Sequence, residues 1–343
     1  MAGISDGEVA VYDRQLRLWG VQAQQRLLKA KVLVWGMEGC NVEVCKNLVL
    51  AGISLVIRDH RKVEAADVAF DYFLREEDLG KGLAACAAQR VQEMNPLCSV
   101  TSSDAAPPAI GDESALKEQL SGCDLVVCSM GALGFDVALA RAVDKMCREV
   151  CSSFILTLSA GELAFFFSNL NTHVVRERSS AQGVGATAEA AKPPAPETIE
   201  FPSLAELLGV SPAELVRQKA DDSFMLVALF LAFAAKRKVA PGDGAAFATF
   251  CAEAGCAPNV DGLPDLQHAY RCFFLEPLMH VASIVAGLLA QEVIKAITQR
   301  DPPLVNCVCF NANTSVAFVE RIPALAKPAA KRKAEEIATD ILD

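Results

Sequence analysis

The chain has 343 residues, a formal net charge of −10, 52% hydrophobic and 22% charged residues. That profile is globular and excludes disorder over most of the length. The acidic balance argues against nucleic acid as the main partner, because binding phosphates needs clustered Lys and Arg. The N-terminal stretch, with no charged region followed by an apolar one, does not read as a secretory signal, and the apolar run Phe224–Ala235 is too short to span a bilayer.

In chain order, residues 11–30 predict an amphipathic helix. Lys31–Trp35 then reads as a buried strand. Gly36-Met-Glu-Gly39 forms a turn, and Asn41–Ala51 a helix with Asn41 as N-cap. Ser54–Arg58 is a second strand with Asp59 at its end. Helices over 82–94, 114–120 and 136–150 alternate with strands over 98–101, 124–129 and 153–158. This rhythm predicts a parallel-rich sheet with helices on both faces, an α/β Rossmann-like fold. Glu162–Ser168 is expected to add an antiparallel strand.

Composition shifts after Arg176. Residues 177–200 are rich in Ala, Pro, Gly and Ser and read as a flexible linker. Residues 201–275 read as a small helical insertion. Residues 276–322 return to the first unit through one long helix, 278–299, and two strands, 305–310 and 315–320. The tail over 323–343 reads as disordered. Expected boundaries are therefore 1–176, 177–200, 201–275, 276–322 and 323–343.

Strand, glycine turn, helix, strand and terminal acid form a nucleotide-binding pattern: helix N-terminal amides hold phosphates and the acid holds a ribose hydroxyl. Asp59 lies 23 residues after Gly36. The glycines run G-x-x-G through Gly36 and Gly39, with Asn41 where a further glycine is expected. Two readings follow from the residues: a working site, or a turn kept for packing. The thirteen cysteines and four histidines show no metal-ligand spacing, so no metal site is expected. Cys40 opens the first fold helix but has no recognisable activating neighbour.

The segment Tyr12-Asp-Arg-Gln-Leu-Arg-Leu-Trp-Gly20 resembles the first helix of the E1 family that activates ubiquitin, NEDD8 and SUMO. Further matches are NLVLAGISLVIRDH at 47–60, Phe73-Leu74, LGK at 79–81, Asn95-Pro96 and GLLAQEVIKAITQRDPP at 287–303. In that family two ThiF/MoeB-like adenylation halves pair, one active and one inactive. Active halves carry S-N-L-N-R-Q after the second strand, paired C-x-x-C zinc motifs and a thioester cysteine. Here the region reads Arg58-Asp-His-Arg-Lys-Val-Glu-Ala-Ala-Asp-Val68, with none of these. The chain is thus similar to an inactive half, and its length and ending are similar to the small subunit of the SUMO-activating branch.

The resemblance implies a regulatory subunit of a heterodimeric enzyme. It would pair with a larger catalytic subunit and complete that partner's ATP site for adenylating the SUMO C-terminus, before thioester transfer to the partner's cysteine. Alone it would be inactive. Arg14 is the residue expected to act in trans at the partner's ATP site, with Arg17 as a second candidate. Gly36, Gly39 and Asp59 would be vestiges, with no functional cofactor site in this chain; ATP and Mg²⁺ would belong to the partner. No nucleic-acid or membrane partner is expected. A nuclear location is implied, with the cytoplasm as a further site, and Lys331-Arg332-Lys333 is a candidate import patch. The competing readings are a self-sufficient adenylating or dinucleotide-binding enzyme and a scaffold with no chemical role.

Overall fold

The computed structural model describes residues 5–176 and 196–323. Residues 177–195, the 324–343 tail and the Lys331–Lys333 patch lie outside the described residues.

The chain begins with α1 (Asp6–Lys29), started by a Ser5–Glu8 capping box. It then runs β1 (Lys31–Trp35), α2 (Cys40–Leu50), β2 (Ser54–Arg58), α3 (Ala65–Phe70), α4 (Leu83–Met94), β3 (Val100–Ser103), α5 (Glu113–Leu120), β4 (Leu125–Ser129), α6 (Val137–Glu149), β5 (Ser153–Ala160) and β6 (Leu163–Asn169). Next come β7 (Thr172–Val175), β8 (Glu197–Glu200), α7 (Leu204–Gly209), α8 (Pro212–Gln218), α9 (Asp222–Ala234), α10 (Gly244–Glu253) and α11 (Leu266–Cys272). The chain closes with α12 (Met279–Thr298), β9 (Cys307–Asn311) and β10 (Val316–Glu320).

Eight strands form one sheet in the order β10-β9-β6-β5-β4-β1-β2-β3. The β1 to β5 strands are mutually parallel, while β6, β9 and β10 add antiparallel pairs. Alternation along each strand divides the core. Val32 and Val34 of β1 face α2, α4 and α12, whereas Leu33 and Trp35 face α5, α6 and α7–α11. The crossover helices thus cover both faces, as a parallel sheet requires.

Three elements differ from the sequence reading, the first being β7, since no strand is expected over 172–175. Glu197–Glu200, placed in the linker by composition, pairs with β7 as an antiparallel ribbon. The short helix α3 was not anticipated, because its six residues bury none of their side chains and carry no periodic apolar signal. The long apolar α12 has the length to cross a membrane but buries Val281, Val285, Leu289 and Val293 in the core. Its Glu292 is also buried, paired with Lys295 at 2.6 Å and accepting from the Leu304 amide at 2.7 Å.

Candidate functional site

The turn after β1 sits where ligands bind in such sheets, beyond the carboxyl ends of the parallel strands. Gly36 has φ +90° and Gly39 φ +51°. A Cβ at Gly36 would fall 2.3 Å from the Ala132 Cβ, and one at Gly39 2.5 Å from the Ser159 Cβ. Both glycines are therefore required by close packing as well as by backbone conformation.

Asn41 is not the N-cap of α2. That position is Gly39, which makes no side-chain cap bond. Asn41 lies inside the first turn and is fully buried. Its Nδ2 donates back to the Trp35 and Gly36 carbonyls at 3.2 and 2.9 Å, and its Oδ1 accepts from Thr157 Oγ1 at 2.9 Å. The side chain that breaks the glycine pattern thus ties the turn to β5.

Three amides of the turn, those of Met37, Cys40 and Asn41, and the acid after β2 are bonded within the chain itself. The Met37 amide donates to Asp59 Oδ2 at 3.0 Å, the Cys40 amide to Ser159 Oγ at 3.2 Å, and the Asn41 amide to the Glu38 carbonyl at 3.0 Å. Asp59 is buried and receives Arg61 Nη2 at 2.8 Å and Arg61 Nε at 3.1 Å. The same guanidinium lies 3.4 Å from Asp67 and 4.0 Å from Glu38. Burial alone would raise the Asp59 carboxyl, but the hydrogen bonds and charge of Arg61 and the Met37 amide outweigh it and hold the pKa below the usual carboxylate range.

Above the turn is a cleft of ≈ 230 Å³, whose lining includes Glu38, Glu276, Ser129, Ser159, Phe135 and Phe274. Glu38 and Ser129 are hydrogen-bonded to each other. Desolvation raises the Glu38 carboxyl against the pull of that hydroxyl and of Arg61. The lining holds two carboxyl groups, Glu38 and Glu276, and no cation, an arrangement that does not favour a polyphosphate. Among the described residues no group of three or more His, Cys, Asp or Glu has a metal-binding arrangement.

Cys40 has no nucleophilic character. Its thiol is buried, touches Ser159 Oγ at 2.7 Å, and is pushed up to about 12 by desolvation.

The amino-terminal segment presents the opposite picture. Tyr12 and Gly20 carry non-helical dihedrals inside α1, with ψ 15° and φ 84° respectively. They are the two ends of the nine-residue motif, so residues 13–19 form a short helical piece between two breaks. Its inner row is buried Tyr12 with half-buried Gln15, Leu16 and Trp19, the last packed on the core. Its outer row exposes Asp13, Arg14, Arg17 and Leu18. Arg17 pairs with Asp13 at 3.0 Å. Arg14 makes no hydrogen bond or ion pair among the described residues. Arg14 and the glycine turn therefore do not form one internal site: the turn is closed on itself and the arginine points away from the chain.

Sequence reasoning missed Arg61, Glu38 and Asp67 as the groups that fill the turn. The signal was present in Asp59-His-Arg61, where a cation two residues after an acid can fold back on it.

Residues 12–333 match the ThiF family. The chain belongs to the ThiF family. Within it, the chain is 31% identical to SUMO-activating enzyme subunit 1 of Bos taurus, covering 93% of this chain and 96% of that protein. It is 30% identical to SUMO-activating enzyme subunit 1 of Homo sapiens over the same shares. These values place this ThiF-family chain on the SUMO-activating enzyme subunit 1 branch, as the resemblance in length and ending implied. Among solved structures it resembles PaaA, with a TM-score of 0.58 at 17% identity, covering 93% of this chain and 84% of that one. It also resembles E. coli MccB with succinimide, with a TM-score of 0.54 at 15% identity, covering 92% of this chain and 73% of that one. These two likenesses establish the α/β adenylation fold alone.

Proposed function

We propose that the chain is the regulatory subunit of a heterodimeric SUMO-activating E1. It pairs with a larger catalytic subunit and completes that subunit's ATP site, where the SUMO C-terminal carboxylate is adenylated before transfer to the partner's cysteine. ATP and Mg²⁺ bind in the partner. Arg14 supplies a fixed cation where negative charge develops on the phosphates, the role of an arginine delivered in trans. Arg17, engaged by Asp13 on the same exposed row, is the second candidate for that role. The heterodimer works in the nucleus.

One contrast carries this reading. The chain's own cradle is closed by Asp59, Arg61 and Ser159, while Arg14 stands exposed and unpaired on the family's signature segment. A self-sufficient adenylating enzyme needs the reverse arrangement. Calorimetry separates the two: the isolated chain titrated with ATP and Mg²⁺ is expected to give no binding heat, and the heterodimer to bind. Micromolar ATP binding by the isolated chain, lost in Gly36→Val, would overturn the proposal.

A further inference from the structure

The piece of helix that carries Arg14 is fixed to the fold by polar bonds on its buried side. Tyr12 is fully buried, although the residues on either side of it are exposed. Its Oη accepts from Asn95 Nδ2 at 2.8 Å and lies 3.9 Å from Cys98 Sγ. The same Asn95 Nδ2 donates to the Val49 carbonyl at 2.7 Å, and Asn95 Oδ1 accepts from the Leu97 amide at 3.1 Å. The phenol thus enters a ready-made corner between the ends of α2 and α4. Gly52 makes room for it: a Cβ there would stand 3.1 Å from Tyr12 Oη. One turn later, Gln15 Nε2 donates to the Leu50 carbonyl at 3.0 Å.

These contacts bracket Arg14. The helix breaks at Tyr12, two residues before the arginine, and residue 15 is tied to the end of α2. A continuous helix with a purely apolar inner row could slide or rotate on the core, because apolar contacts are non-directional. Two hydrogen bonds to fixed backbone and amide groups set its rotation. Burial pushes the Tyr12 hydroxyl up to about 12, so it remains a neutral hydrogen-bonding group at working pH.

We infer that Tyr12 is a positioning residue for adenylation: its hydroxyl, held by Asn95, fixes the break that aims residues 13–19 and so sets where Arg14 reaches into the partner's site. This rests on the Arg14 role proposed above. A long cationic side chain acts on a transition state only if its base is fixed, and a displacement on the order of 1 Å can cost about a hundredfold in rate.

The test is a double-mutant cycle in the reconstituted heterodimer, with mature SUMO, ATP and Mg²⁺, read as ATP–pyrophosphate exchange. Tyr12→Phe keeps the ring in its slot and removes one hydroxyl. It is expected to lower kcat about three- to tenfold, with KM for ATP and SUMO changed less than about twofold and assembly intact by size exclusion. In the Arg14→Ala background the same substitution is expected to cost nothing further, because the group it positions is gone. Gln15→Met, which removes the second tie, is expected to behave alike and decides the matter should Tyr12→Phe not assemble. Equal loss in both backgrounds, or a wild-type rate for Tyr12→Phe, would overturn the inference. A wild-type rate for Arg14→Ala alone would instead overturn the role on which it rests.

Discussion

Arg61 Nη2 lies 2.8 Å from Asp59 Oδ2, so the acid that ends β2 is neutralised from within the chain. In a nucleotide-binding turn that acid faces a ribose. Here it faces a guanidinium that also approaches Glu38 and Asp67, and the same carboxylate receives the Met37 amide. The turn is an internal ion cluster built on the skeleton of a nucleotide site.

Removing the cation leaves three carboxylates without compensation. Arg61→Ala is expected to destabilise the chain by about 1–3 kcal/mol, below the fully buried case because the Arg61 side chain is 35% exposed. Since the Asp59 pKa is depressed in the folded chain, its contribution is fully present above the unfolded carboxylate value and is lost as pH falls through the folded one. Urea unfolding at pH 7 and in the acid range checks this. The variant should lose the acid-limb dependence with its stability, and an unchanged midpoint at pH 7 would contradict the ion-cluster account.

Asp71 should titrate near neutrality. It is buried, its Oδ1 accepts from the Phe73 amide, and its Oδ2 has no hydrogen-bond partner. Burial pushes its pKa up to about 7. The folded chain thus holds a proton that the unfolded chain releases near pH 4, so stability falls as pH rises from about 4 to 7 and then levels. Asp71→Asn should be more stable than the parent at pH 8 by roughly 1–4 kcal/mol, with the gain shrinking towards pH 5. Thermal melts at both pH values would show it, and a pH-independent difference would contradict it.

Gly36→Ala is expected to cost about 2–4 kcal/mol, combining a left-handed backbone with a Cβ 2.3 Å from that of Ala132. Gly20 also has positive φ but open space around it. Gly20→Ala should cost about 1–3 kcal/mol, the backbone penalty alone, since φ 84° with ψ 169° is a conformation kept almost wholly to glycine. Denaturant midpoints for the two variants separate close packing from backbone strain, and equal losses would contradict the packing argument.

Thiol labelling should follow burial, not sequence context. Cys151 is exposed, whereas Cys40, Cys45 and Cys128 are buried with pKa values raised by desolvation. Brief alkylation of the native chain followed by mass spectrometry should modify Cys151 and spare Cys40 until denaturant is added. Rapid native labelling of Cys40 would contradict its reading as an inert core thiol.

The sheet was legible because β1, β2 and β4 are short apolar runs bounded by turns, and β6 is a continuous apolar strand; their edges shifted by a residue or two. The β8 strand was not, since Glu-Thr-Ile-Glu alternates too briefly to stand out beside a Pro- and Ala-rich stretch. The glycine turn was located correctly, but its closure depends on side chains folding back. Asn41 reads as a cap by residue type, yet the backbone enters α2 through Gly39 and leaves Asn41 free to bind the Trp35 and Gly36 carbonyls. The exposure of Arg14 could be anticipated from periodicity. The break at Tyr12 could not, because a tyrosine carries no helix-breaking signal and its partner Asn95 lies 83 residues away.

The central claim is that this chain contributes an arginine, and not a nucleotide site, to adenylation. SUMO-dependent ATP–pyrophosphate exchange should be measured for the chain alone, the larger subunit alone, the two together, and the pair carrying Arg14→Ala. The account predicts exchange by the wild-type pair, none by this chain alone, and a loss of about a hundredfold or more with Arg14→Ala while the pair still co-elutes. Exchange by the chain alone, or a full rate from the Arg14→Ala pair, would contradict it.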